Sequence, residues 1–192
     1  MTPSQRRTAL VAHVVCSVGW LGAVAAFLVL SITALRDDSG SVIVACYLAM
    51  DVVGRGVIVP LSVLTLASGL VQSLGTVWGL FRHYWVVAKL ALTVLATIGL
   101  LVHQYTLVAT AAARASSVTV PDAELDQLGW MVARDASLAV LVLLAAAVLS
   151  IFKPWGPILK GSRALRWGVW AFTAAVAIFL AVHLLSGGAS HH

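Results

Sequence analysis

Charge is scarce in this chain. Asp and Glu number 7 and Lys and Arg 12 among 192 residues, so charged residues are 10% of the total. A soluble domain carries roughly twice that share, and a soluble globular fold is excluded. There are 2 cysteines, Cys16 and Cys46. They fall in successive apolar runs at opposite membrane faces, too far apart for a disulfide. Both read as packing residues and give no clue to redox compartment. Also missing are a Ser-His-Asp arrangement, Cys-x-x-Cys, HExxH and a phosphate loop. No internal repeat, low-complexity tract or soluble domain is visible.

What remains is apolar. Hydrophobic residues make up 61% of the chain, and mean hydropathy is +1.01. This is the composition of a polytopic membrane protein. The net charge of +5 therefore does not argue for a nucleic-acid partner; the position of each basic residue is more informative. The opening "MTPSQRRTALVAHVV" superficially resembles a secretory or twin-arginine signal, but its apolar run exceeds the ~7–15 residues of a signal core and reads as a first transmembrane helix. The closing "SGGASHH" reads as a linker and a tag remnant over 187–192, and His191 and His192 are set aside.

A span needs about 20 apolar residues. Five segments qualify, at about 8–35, 42–74, 84–113, 122–152 and 164–185, within one transmembrane domain over 1–186. Pro60 predicts a kink in the second. Thr119 and Asp122 have the spacing of a capping box before the fourth. "KPWGP" stops the fourth and "SGG" the fifth. The expected fold is an all-α integral membrane protein, a bundle of five transmembrane helices. Arg6, Arg7, Arg82, Lys89, Lys153, Lys160, Arg163 and Arg166 fall on one side, Arg36 and Arg114 on the other. That bias puts the N-terminus in the cytoplasm and the C-terminus outside. Trp78, Trp85, Trp155 and Trp167 fall at the inner ends, as an aromatic belt requires. Small residues such as Gly19 with Ala23 recur at helix-packing spacing.

Three stretches carry a resemblance: "HVVCSVGWLGAVA" from His13, "GLVQSLGTVWGLFRHYWVVAKLALTVLATIGLLVH" from Gly69 to His103, and "LLAAAVLSIFKPWG" ending at Gly156. Together they resemble a family of small bacterial integral membrane proteins of unknown function. The resemblance runs from about His13 to Gly156, with "SLGTVWGLFRHYWVVAK" its most specific part. It implies a helical fold in the bacterial inner (cytoplasmic) membrane and no particular activity. A looser likeness to copper-resistance-D-type membrane proteins rests on the His and Trp-Leu-Gly start and the Lys-Pro-Trp-Gly end. The chain departs from that pattern. "ARDASLAV" puts Asp135 near a position where the family carries histidine, and Arg55 replaces an apolar or aromatic residue.

Ionisable groups inside spans are costly and mark candidate sites. At 1.5 Å rise per residue, His103 lies ~28 Å along the third span and His183 ~27 Å along the fifth, one level near the outer face. Asp51, Arg55, Arg134 and Asp135 join that layer, with Gln104 and Tyr105 beside His103. Asp51 and Arg55 are spaced for a helix-surface ion pair. Arg134 and Asp135 are adjacent, and each is expected to find its partner on another helix or in water. The layer reads either as an ion-paired structural lid or as a ligand pocket.

As a pocket, His103 and His183 are candidate axial ligands of a b-type haem, with Arg55 and Arg134 facing its propionates. The same layer offers His103, His183, Asp51 and Asp135 to a transition metal. An alternative inner pair is His13 and His83, though His83 in "FRHYW" reads better as an interfacial anchor. The first functional expectation is therefore an outward-facing pocket binding haem or a metal ion for redox or electron transfer. The second is a non-catalytic accessory or scaffold subunit with a membrane-protein partner or a homo-oligomer. The third is a transporter or intramembrane enzyme for a lipid or small apolar substrate, with Asp51, Asp135, His103 and His183 as acid–base candidates.

Overall fold

The computed structural model describes residues 2–75, 84–104, 108–117 and 123–152. The fifth expected span, the terminal linker, the Thr119–Asp122 pair, Tyr105, His83 and His183 lie outside the described residues. All described elements are helical: α1 (Pro3–Arg36), α2 (Gly40–Val53), a π-helical turn (Gly54–Ile58), α3 (Val59–Gly75), α4 (Tyr84–His103), α5 (Ala109–Ser117) and α6 (Ala123–Phe152).

α1 begins before its apolar run because its start is capped. Thr2 Oγ1 accepts from the Gln5 amide at 3.3 Å and the Gln5 side chain accepts from Thr2 N at 2.8 Å, a reciprocal capping box with Pro3 in the first turn. It ends where Asp37 turns extended and its carboxylate accepts from Ser39 N at 2.8 Å, an Asx turn that leads directly into α2.

α2, the π turn and α3 run on as one rod. The kink expected at Pro60 takes the form of the π turn just ahead of it. Proline has no N–H, and its ring crowds the carbonyl four residues back. Here that is the carbonyl of Gly56, inside the widened turn, where the looser helix accommodates it. The third span expected over 84–113 is described as α4, ending at His103, and α5, starting at Ala109; the helix is π-helical at Gln104 and at Val108, and Gln104 is 1% exposed.

α1 packs on α2, α3 and α6; α4 packs on α3 and α6; α5 lies against α2 and α6. The result is an up-down-up-down arrangement of four rods around one core. Its centre holds Trp20, Tyr47, Met50, Ile58 and Leu92, all 2% exposed or less. Gly19 lets α3 approach: a β-carbon there would sit 3.3 Å from Leu61 Cδ1, as the small-residue spacing predicted. Cys46 is buried, Cys16 is only half-buried, and both are free thiols.

Four helices, Pro3–Arg36, Gly40–Leu74, Val86–His103 and Leu125–Ile151, are long and apolar enough to cross a membrane. Within them only 22–33% of the most apolar window is buried inside the protein. Val11, Val15, Val18, Leu141 and Ile151 instead point outward, each more than 60% exposed. In water such a surface would aggregate; against acyl chains it is the expected exterior. The chain is a multi-pass helical membrane protein.

Candidate functional site

Two polar layers cross the bundle. On α4 they are marked by Lys89 and His103, about 21 Å apart by helical rise, less than the ~30 Å hydrocarbon core.

In the first layer His103 Nε2 lies 2.9 Å from Asp135 Oδ2, joining α4 to α6 at ion-pairing distance. Asp135 Oδ1 accepts from Arg134 Nε at 3.1 Å. This overturns the expectation that adjacent residues would not meet: the long guanidinium stem, half-exposed, wraps around the helix to its neighbour. Asp51 accepts from Arg55 Nε at 2.9 Å, the expected pair one turn apart. Gln104 Nε2 donates to Asp51 Oδ1 at 3.2 Å, tying α4 to α2. Asp51 is ~17 Å along α2 from Gly40 and Asp135 ~18 Å along α6 from Ala123, so both are capped by further helix, with α5 packed on top.

Gly54 creates the seat for Gln104. A β-carbon at Gly54 would overlap Oε1 and Cδ of the Gln104 amide and sit 2.7 Å from its Nε2. Sequence reasoning missed this contact; the only signal was a glycine in the second span one turn from Asp51. Gly54→Ala is expected to cost about 1–2 kcal/mol by overpacking, seen as a lowered melting temperature. Truncating the obstacle in Gly54→Ala/Gln104→Ala should recover part of that loss relative to the sum of the single changes.

Beneath this layer lies a cavity of about 90 Å³ between α1, α4 and α6. Its walls are apolar, with Phe27, Leu95, Gly99 and Val142 among them, and its polar contributors are His103, Gln104 and Asp135. Among the described residues no group of three or more His, Cys, Asp or Glu side chains could hold a metal ion. Asp51 is engaged by Arg55 and Gln104, and Asp135 by His103 and Arg134. Arg55 and Arg134 sit on these carboxylates, about half-exposed.

The second layer is built around His13, 8% exposed on α1. Its Nδ1 is 3.0 Å from Ser68 Oγ on α3, and its Nε2 is 3.2 Å from Lys89 Nζ on α4. Ser68 Oγ donates to Leu64 O at 2.6 Å, so it accepts from His13 Nδ1–H, and Nε2 presents its lone pair to the ammonium. Both ring nitrogens are thus engaged, and His13 has no nitrogen to offer haem or metal. Lys89, read from sequence as a topology charge at the interface, turns into the bundle instead. Gln72 Nε2 donates to Ala9 O at 3.0 Å one turn further along α3. No protein-family model, curated protein or solved structure matches the chain.

Proposed function

We propose that this protein binds a slender apolar molecule by its polar end, with the tail in the α1–α4–α6 cavity and the head at His103, Gln104 and Asp135. The observation that carries this reading is the sharp division of that cavity: apolar walls with every polar contributor at one end. Such a division suits an amphiphile, whose few directed hydrogen bonds fix orientation while apolar contact supplies affinity. Its size favours a chain over a disc. An engineered cavity of ~150 Å³ takes benzene, and this one is smaller, so it admits a few carbons of an acyl- or prenyl-like tail where a macrocycle would force the walls apart. The b-type haem and metal forms of the reading require more. They need His183 beside His103, and they need Asp135 to withdraw from His103 Nε2 so that a metal can approach.

The eight-to-two distribution of basic residues supports five spans with the amino terminus in the cytoplasm. The resemblance to small bacterial membrane proteins supports the cytoplasmic membrane as location.

The test is extraction of purified protein with organic solvent and mass spectrometry of what is released. Wild type should release one amphiphile in near-stoichiometric amount. Gly99→Leu should release at least ten-fold less, because the space beyond the Gly99 β-position is open and the new side chain fills the cavity. Wild type that releases nothing overturns the reading. A Soret band that disappears in His103→Ala replaces it with haem.

A further inference from the structure

The inner layer poses a charge problem that the described residues do not solve. All 7 acidic residues are Asp37, Asp38, Asp51, Asp122, Glu124, Asp126 and Asp135. Asp51 and Asp135 belong to the Gln104 layer, and Asp37, Asp38, Glu124 and Asp126 fall at the ends of α1 and α6 on that same side. Among the described residues no carboxylate lies in the half of the bundle that contains Lys89. Among the described residues the polar partner of the Lys89 ammonium is the His13 imidazole, a neutral acceptor of one hydrogen bond. An ammonium has three N–H donors and no accepting capacity. Lys89 is ~8 Å into α4 by helical rise, at a depth where an uncompensated charge is costly.

Lysines near a helix end usually run out to the headgroups. Lys89 is held inward by His13, which is fixed through Ser68 to the Leu64 carbonyl. A second orphaned group lies next to this chain. Thr65, one turn before Ser68 on α3, is 4% exposed, and its Oγ1 has no hydrogen-bond partner among the described residues. The layer therefore holds a positioned cation with donors to spare and a buried hydroxyl with its hydrogen-bonding capacity unused. The ligand chemistry that answers both is an anionic oxygen group that accepts from the ammonium and the hydroxyl.

We infer that Lys89, set by His13 and Ser68, is a binding site for a phosphate-type anion at the inner end of the bundle, distinct from the cavity under His103. Two sources share this chemistry: the phosphodiester of an anionic lipid and free inorganic phosphate. Both carry acceptor oxygens on a compact centre, and the basic residues clustered on that side would concentrate either one.

Native mass spectrometry and thermal stability separate the sources. Wild-type protein is exchanged from phosphatidylglycerol or from phosphatidylcholine into a neutral detergent. In parallel, detergent-purified protein stripped of anionic lipid is titrated with inorganic phosphate against chloride at equal ionic strength. Retention of one phosphatidylglycerol per chain, without a phosphate-specific rise in melting temperature, assigns the site to lipid. A phosphate-specific rise assigns it to the free ion. In either case Lys89→Met should reduce the response at least ten-fold, Lys89→Arg should preserve it, and Gly99→Leu should leave it unchanged. Neither response in wild type, or equal responses in wild type and Lys89→Met, overturns the inference. Because the first of these readouts uses wild type alone, the test stands even if a Lys89 variant folds poorly.

Discussion

Asp135→Ala is expected to lower stability by about 3 kcal/mol, the lower end of what removing one partner of a buried ion pair costs. Its carboxylate is one of the few groups that tie α4 to α6, with His103 Nε2 at 2.9 Å and Arg134 Nε at 3.1 Å. The losses are unequal. Arg134 has a side chain 52% exposed and can turn to water or headgroups. His103, 20% exposed, keeps a polar ring in an apolar wall with its partner gone. At about 2–4 °C per kcal/mol for a chain of this size, the melting temperature should fall by about 6–12 °C. Replacing both members, as in His103→Leu/Asp135→Leu, should recover most of the loss, since a well-packed apolar pair substitutes for a buried polar one at little net cost. An unchanged melting temperature in Asp135→Ala, or single and double changes that add within about 0.5 kcal/mol, would show that the contact is not coupled.

Gly129→Ala is expected to cost about 2–3 kcal/mol although it adds a single methyl group. Gly129 on α6 is buried where α1 and α2 meet it. A β-carbon there would strike the Tyr47 hydroxyl and come within 2.8 Å of Leu35 Cδ2. Leu35 can rotate. Tyr47 is 2% exposed, and a rigid ring has no flexible end to yield, so the helices must part. Removing the hydroxyl tests the cause directly: Gly129→Ala/Tyr47→Phe should be more stable than Gly129→Ala alone. If the second change brings no recovery, the obstruction lies elsewhere and room for the Tyr47 hydroxyl is not what Gly129 serves.

Several features of the fold were legible in one dimension. The four described spans follow from the lengths of apolar runs set against bilayer thickness. α1 gains only the turn its capping box adds. The Asp51–Arg55 pair was also legible, because four residues on one helix define its geometry without reference to any neighbour. Depth along each helix was readable too, and it correctly grouped His103, Asp51 and Asp135 as one layer.

The contacts that make the layers chemical were decided by tertiary structure. Nothing in the spacing of Gly54 and Gln104 says that one is cut to fit the other, and nothing about Lys89 says that it leaves the interface for His13. Arg134 reached Asp135 by a side-chain path that backbone periodicity does not describe. The reason is physical. A soluble helix announces its buried face by a stripe of apolar residues. A helix in lipid is apolar toward its neighbours and toward the acyl chains alike, so the pattern that would assign a face is absent. Composition and run length determined that this chain crosses a membrane as helices. Which faces meet, and hence which polar groups become partners, was determined only by the packing of α1, α3, α4 and α6 against one another.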